Sequence, residues 1–116
     1  MTVLARLEDQ GDRAVVVNMN ATRRGALSPD LYAAINDAVA LAQEPRIRAI
    51  LLTSEGGFFC AGGDLNVLIE RRTLTEAQRR DKVDELHGMI RGLRAAPVPV
   101  IAAVEGGAAG AGLSLA

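Results

Sequence analysis

Little in this sequence announces a particular chemistry, and much of what is scarce excludes something. Cysteine occurs once, at Cys60, so no intrachain disulfide can form, which suits a reducing compartment. His87 is the only histidine, and no cluster of Cys, His and carboxylates has the spacing of metal ligands. Lys82 is the only lysine, the remaining positive charge is arginine, and the formal net charge is -1. Such a balance gives no electrostatic footprint for nucleic acid or an anionic membrane. Long apolar runs are missing too. The most apolar stretch, Val98 to Val104, falls far short of the about 20 residues that a bilayer demands. Met1 to Gln10 has no apolar run behind a basic stretch and does not read as a signal peptide. The expectation is a cytoplasmic protein without metal, nucleic acid or membrane as partner.

What is present reads as one small soluble domain over residues 1–116, with 49% apolar content. Val3 to Leu7 and Ala14 to Val17 read as two strands joined by the turn from Glu8 to Asp12. Ser28-Pro29-Asp30 then opens a helix: Ser28 caps, Pro29 suits the first helical position, and Asp30 faces the positive dipole end. Leu31, Ile35, Ala38, Val39 and Ala42 form its apolar face, and Pro45 stops it. Ile47 to Thr53 predicts a strand buried on both faces. A second helix is predicted from about Thr75 to Arg94, striped by Val83, Leu86, Ile90 and Leu93, and Val98 to Val104 predicts another buried strand. The order is that of an α/β fold.

Two strands run into glycine-rich segments, Ser54 to Leu65 and Glu105 to Gly112. Glycine lets backbone approach a ligand closely, and helix starts leave N–H groups unpaired. Plain connectors have the same composition. Nucleotide cradles do not fit. Gly110 and Gly112 open a dinucleotide fingerprint, but Leu115 stands at its closing position, and no Gly-Lys-Ser/Thr exists for a Walker A loop.

Phe59-Cys60-Ala61-Gly62-Gly63-Asp64-Leu65, the run from Pro99 to Gly112, and Arg23-Arg24-Gly25-Ala26-Leu27-Ser28 resemble, in order and spacing, three hallmark segments of the enoyl-CoA hydratase/isomerase (crotonase) family. The resemblance runs from about Ala14 to the last residue and implies a crotonase-like (ClpP/crotonase) spiral of β-β-α units, incomplete here, with a homotrimer or hexamer as the parent assembly. It implies an acyl-CoA thioester as substrate, coenzyme A being part of that substrate and not a separate cofactor. The catalytic elements it implies are the backbone amides of Gly63 and Ala111, an oxyanion hole for the thioester oxygen. Donors of that kind are each worth roughly 2.7–4 kcal/mol in a dry site. Substrate contacts are implied for Arg23, Arg24, Ala26, Ala61, Gly62, Asp64, Leu65 and Gly110. Either arginine suits a phosphate, or is simply a solvated loop charge. Asp64 also suits a helix cap.

The sequence departs from the family pattern in places. Ser114 stands where hydratases of the family carry the first of two glutamates, and the second position lies past Ala116. Gly25 stands where the family usually has Asn, and Ala111 where Gly is common. Phe58 to Gly63, with Leu65-Asn66 after the aspartate, also resembles members that open an oxepin-CoA ring. The chain therefore reads as the N-terminal portion of a crotonase-like domain, inactive alone. The readings that compete are an acyl-CoA-processing enzyme, a CoA-binding or structural remnant of the fold, and a serine hydrolase built on Ser114. The last lacks a Gly-x-Ser-x-Gly elbow. His87 reads as a surface or subunit-contact residue, Cys60 as a small packing group, and the Arg71-Arg72 and Arg79-Arg80 pairs as solvated charges.

Overall fold

The computed structural model describes residues 2–116, so the first residue of the unit expected over 1–116 lies outside the described residues. The chain opens with a hairpin, β1 (Ala5–Asp9) and β2 (Arg13–Asn18), antiparallel from Ala5 opposite Asn18 to Asp9 opposite Ala14. The first strand sits later than its apolar residues predicted. Pairing with Val15 and Ala14 draws Glu8 and Asp9, which read as turn residues, into the ladder. Gly11 then turns the chain with φ of +88°, and the Asp9 carboxylate accepts from its N–H at 3.0 Å.

Arg46 grips Asp9 through both Nη atoms, at 2.7 and 2.6 Å, and holds its carboxyl down at about 2, with the Gly11 N–H as the lesser cause. The pair is solvent-exposed, so its worth is small. A depressed folded pKa means that its stabilisation is complete above the ordinary aspartate range and is lost as pH falls from about 4 through about 2. Asp9→Asn is therefore expected to flatten the acid limb of a melting-temperature profile in that window. An unchanged acid limb would show that the pair contributes nothing.

Helix α1 (Pro29–Leu41) starts as its residues predicted. Ser28 is extended and its Oγ accepts from the Leu31 N–H at 3.2 Å, with Pro29 at the first turn. Leu31, Ala34, Ile35 and Ala38 are buried against the sheet, and Val39 is half-buried. Strand β3 (Ala49–Ser54) pairs in parallel with β2, and β4 (Val100–Ala102) pairs in parallel with β3, giving the order β1-β2-β3-β4. Burial on both faces of these strands does not hold. Ile50 and Leu52 are buried while Ala49, Leu51 and Thr53 are only half-buried, because α1 covers one face of the sheet. The last strand is three residues long, and Ile101 and Val104 are 52% and 48% exposed. Its brevity has a cause: Pro97 and Pro99 cannot donate to a ladder, and β4 bounds the sheet.

Helix α2 (Leu65–Glu70) follows the first glycine-rich segment, and α3 (Glu76–Arg94) follows a capping box made by Thr75 and Gln78. Of the predicted α3 stripe, Leu86, Ile90 and Leu93 are half-buried on the core and Val83 is exposed. Met89, between them, is the buried residue of that helix. Helix α4 (Ala111–Leu115) closes the described chain. A parallel bridge pairs Cys60 with Ala108. With it the element order becomes a repeat: β1, β2, α1; then β3, the Cys60 bridge, α2 and α3; then β4, the Ala108 bridge, α4. That is the β-β-α unit expected of a crotonase-like spiral.

Candidate functional site

The two glycine-rich segments form one structure. Phe59 N–H donates to the Gly107 carbonyl at 2.9 Å, and Ala109 N–H donates to the Cys60 carbonyl at 3.0 Å, on either side of the Cys60–Ala108 bridge. Contact is so close that side chains are excluded. A Cβ on Gly62, whose φ is +90°, would lie 3.0 Å from the Ala109 carbonyl oxygen and 3.2 Å from the Ala111 nitrogen. A Cβ on Gly112 would overlap the Cys60 carbonyl oxygen.

This junction brings Gly63 and Ala111 to the wall of a single cavity of about 150 Å³. Among the described residues, neither amide donates to a protein acceptor. Ala111 is the first residue of α4, where the N–H has no partner within the helix. The cavity's other walls are largely apolar, with Leu27, Tyr32, Val67, Leu68 and Leu86. Burial is the main cause that raises the Tyr32 hydroxyl above its ordinary pKa. Asp64 is the carboxylate among the lining residues. Two cations lie there as well, Arg71 and Lys82. Arg71 corrects its sequence reading as a solvated charge: the residue is only partly exposed, and its Nε is buried, whereas Arg72 is exposed.

A wider, open cleft of about 470 Å³ adjoins this cavity and shares Gly63 and Asp64 with it. Arg23, Ala26, Ala61, Leu65 and Asn66 complete its lining. Arg23 pairs with Asp64 at 3.3 Å; that aspartate is also the cap of α2, accepting from the Asn66 N–H at 2.9 Å. Asp64 thus serves the structure and lines both spaces.

Of the other residues singled out by sequence, Gly62 is buried in the junction and Gly110 is the residue before α4, with φ of 55°. Arg24 is not among the residues that line either space. Its guanidinium stands 5.6 Å from the centroid of the Phe58 ring, and its own φ of 51° is left-handed. Gly25, the departure from the family's Asn, has a local reason. Its φ is +71°, and a Cβ there would lie 2.6 Å from the Phe59 carbonyl oxygen. Two buried asparagines that sequence left unassigned hold this loop. Asn18 donates to the Gly25 carbonyl at 2.8 Å, and Asn20 donates to the Ala26 carbonyl at 3.0 Å. Tyr32, Arg71 and Lys82 were also missed, since no motif marks them.

Ser114 is exposed on α4, and His87 is exposed on α3 far along the chain from it. Cys60 is 1% exposed, and burial pushes its thiol up, so it packs as an apolar group. Among the described residues no three His, Cys, Asp or Glu side chains gather to hold a metal, and no helix is long and apolar enough to cross a membrane.

Comparison with known proteins bears on this geometry. The sequence profile described as enoyl-CoA hydratase/isomerase matches residues 11–116. The mouse mitochondrial methylglutaconyl-CoA hydratase is 37% identical over 113 residues, covering 95% of this chain and 35% of that protein. The human mitochondrial enoyl-CoA hydratase domain-containing protein 2 is 36% identical over 110 residues, covering 93% of this chain and 36% of that one. The chain thus spans about a third of the length of these relatives. The crystal structure of an enoyl-CoA hydratase from Polaromonas sp. JS666 superposes with a TM-score of 0.88 at 40% identity, over 96% of this chain and 44% of that one. Profile, relatives and fold agree: the chain belongs to the enoyl-CoA hydratase/isomerase family and carries part of its crotonase-like fold.

Proposed function

We propose that this chain supplies the thioester-binding half of an acyl-CoA-processing site of the enoyl-CoA hydratase/isomerase type. One observation supports the reading: two glycine-rich loops, joined by the Cys60–Ala108 bridge, bring Gly63 and Ala111, whose amides have no protein acceptor among the described residues, to the wall of one cavity. Hydration and isomerisation of an enoyl-CoA both build negative charge on the thioester oxygen. Fixed backbone donors stabilise that charge without reorganising.

The neighbouring cleft suits the nucleotide end of coenzyme A. Arg23 offers guanidinium donors beyond those engaged by Asp64, and Ala61 and Ala26 leave a small-residue wall where a flat base can lie. Arg24, stacked on Phe58, is assigned to holding the loop. Gly62 and Gly110 act by backbone shape, and Asp64 and Leu65 by starting α2 beside the cleft. Coenzyme A enters as part of the substrate. Asp64, the lining carboxylate, is engaged by Arg23, so proton transfer is not assigned to it. The working assembly in this reading is a homotrimer or hexamer in the cytoplasm, measurable by light scattering.

Infrared difference spectroscopy with carbonyl-labelled acetyl-CoA tests the central claim. The bound thioester C=O stretch is expected to move to lower wavenumber than in water. Ala111→Pro removes one N–H at a position where proline suits a helix start, and is expected to reverse part of that shift. Binding with no shift in the native chain would sink the oxyanion assignment, and absence of binding would sink the acyl-CoA reading.

A further inference from the structure

Resting on the acyl-CoA reading of the same cavity, we infer that its acyl end selects an acyl group that terminates in a carboxylate. A cavity for a plain alkenyl chain needs only apolar walls. This one has them in Leu27, Val67 and Leu68, yet it also carries two cations. The Nε of Arg71 is shielded from solvent and, among the described residues, has no hydrogen-bond partner. An unpaired buried donor on a charged group is costly, and an anion in the cavity that compensates the charge of this guanidinium offsets that cost. Lys82, from α3, lines the same cavity and is exposed, and among the described residues neither cation lies within ion-pair distance of a carboxylate.

The other charged groups near this end do not cancel the pair. Asp64 is engaged by Arg23 at 3.3 Å, and of the acids beside Lys82 on α3, Asp81, Asp84 and Glu85, none lines this cavity, Glu85 lining a separate space with Tyr32. Tyr32 stands in the same wall, its phenol O–H available as a donor, and burial raises its pKa further. Guanidinium, ammonium and phenol all belong to the lining of this one cavity, and a carboxylate held there would take a directional contact from a guanidinium and a point charge from an ammonium. The ligand class is a short dicarboxylyl-CoA, with the thioester at the Gly63 and Ala111 amides and the free carboxylate toward Arg71.

Calorimetric titration of the chain with glutaryl-CoA, pentanoyl-CoA and free CoA tests this. Glutaryl-CoA and pentanoyl-CoA share a chain length and differ in the terminal group. At low salt the expected result is glutaryl-CoA binding about tenfold tighter than pentanoyl-CoA, as a charge-assisted contact supplies. Arg71→Gln is expected to bring that ratio near one and Arg71→Lys to restore part of it. Lys82→Met, at an exposed position with no folding risk, is expected to lower the ratio severalfold. Equal affinity for the two thioesters in the native chain overturns the inference while leaving acyl-CoA binding intact. So does an Arg71→Gln variant that weakens free CoA as much as glutaryl-CoA, since the cation would then serve a phosphate. No binding of any of the three overturns both readings together.

Discussion

Gly112→Ala is expected to lower the melting temperature by more than about 10 °C, the larger part of a small domain's margin. The added Cβ would overlap the Cys60 carbonyl oxygen, and would lie 2.7 Å from the Cys60 carbonyl carbon and 2.8 Å from its Cβ. These are backbone and near-backbone atoms of a buried residue, so no rotamer change relieves the contact. Relief requires α4 to move away from the first loop. That movement lengthens the Ala109 to Cys60 hydrogen bond, now 3.0 Å, and separates the amides of Gly63 and Ala111. Overpacking alone costs about 1–3 kcal/mol, and the lost buried hydrogen bond about 1 more. Gly88 is the matched control. It lies inside α3 with nothing within 4 Å of a Cβ, so alanine there is expected to stabilise by up to about 1 kcal/mol. Thermal melts of the two variants followed by circular dichroism separate the cases. Equal melting temperatures would mean that the junction is loose and holds no fixed oxyanion geometry.

The origin of that difference explains what could be read from the chain before its fold. Local signals were readable where one residue satisfies one neighbour. Ser28 caps α1 and Pro29 begins it because capping depends on atoms within a single turn. Asp64 likewise announced α2, which otherwise escaped notice because Leu65 to Glu70 are all exposed and leave no periodic face to read. Strand burial was overestimated for β4, since apolar composition does not reveal which strand bounds a sheet. The pairing of Cys60 with Ala108 joins segments far apart in sequence, and no spacing rule reaches that distance. Only the family resemblance linked the two loops. Arg71 shows the opposite limit: adjacent to Arg72 and alike in composition, it differs only in the side of a short helical segment on which it falls.

Met89→Ala is expected to loosen α3 and to empty the acyl end of the cavity before it unfolds the sheet. Met89 is 1% exposed and is the buried residue of a helix whose other apolar side chains, Leu86, Ile90 and Leu93, are only half-covered. Truncating a buried Met to Ala costs about 2–5 kcal/mol, and here little burial remains to hold the helix on α1. The helix also supplies Lys82, Val83 and Leu86 to the cavity, whereas the cleft around Arg23 and Ala61 takes nothing from it. Fraying of α3 should therefore weaken pentanoyl-CoA more than free CoA. Hydrogen exchange should show α3 amides opening at lower free energy than those of β2, whose residues from Ala14 to Asn18 are all buried. Leu113→Ala, at a position 65% exposed, is the control and should change stability by less than about 0.5 kcal/mol. If Met89→Ala raises exchange equally in α3 and β2, the helix is part of one cooperative unit with the sheet. Local loss of the acyl pocket would then give way to global unfolding as the reason for weaker binding.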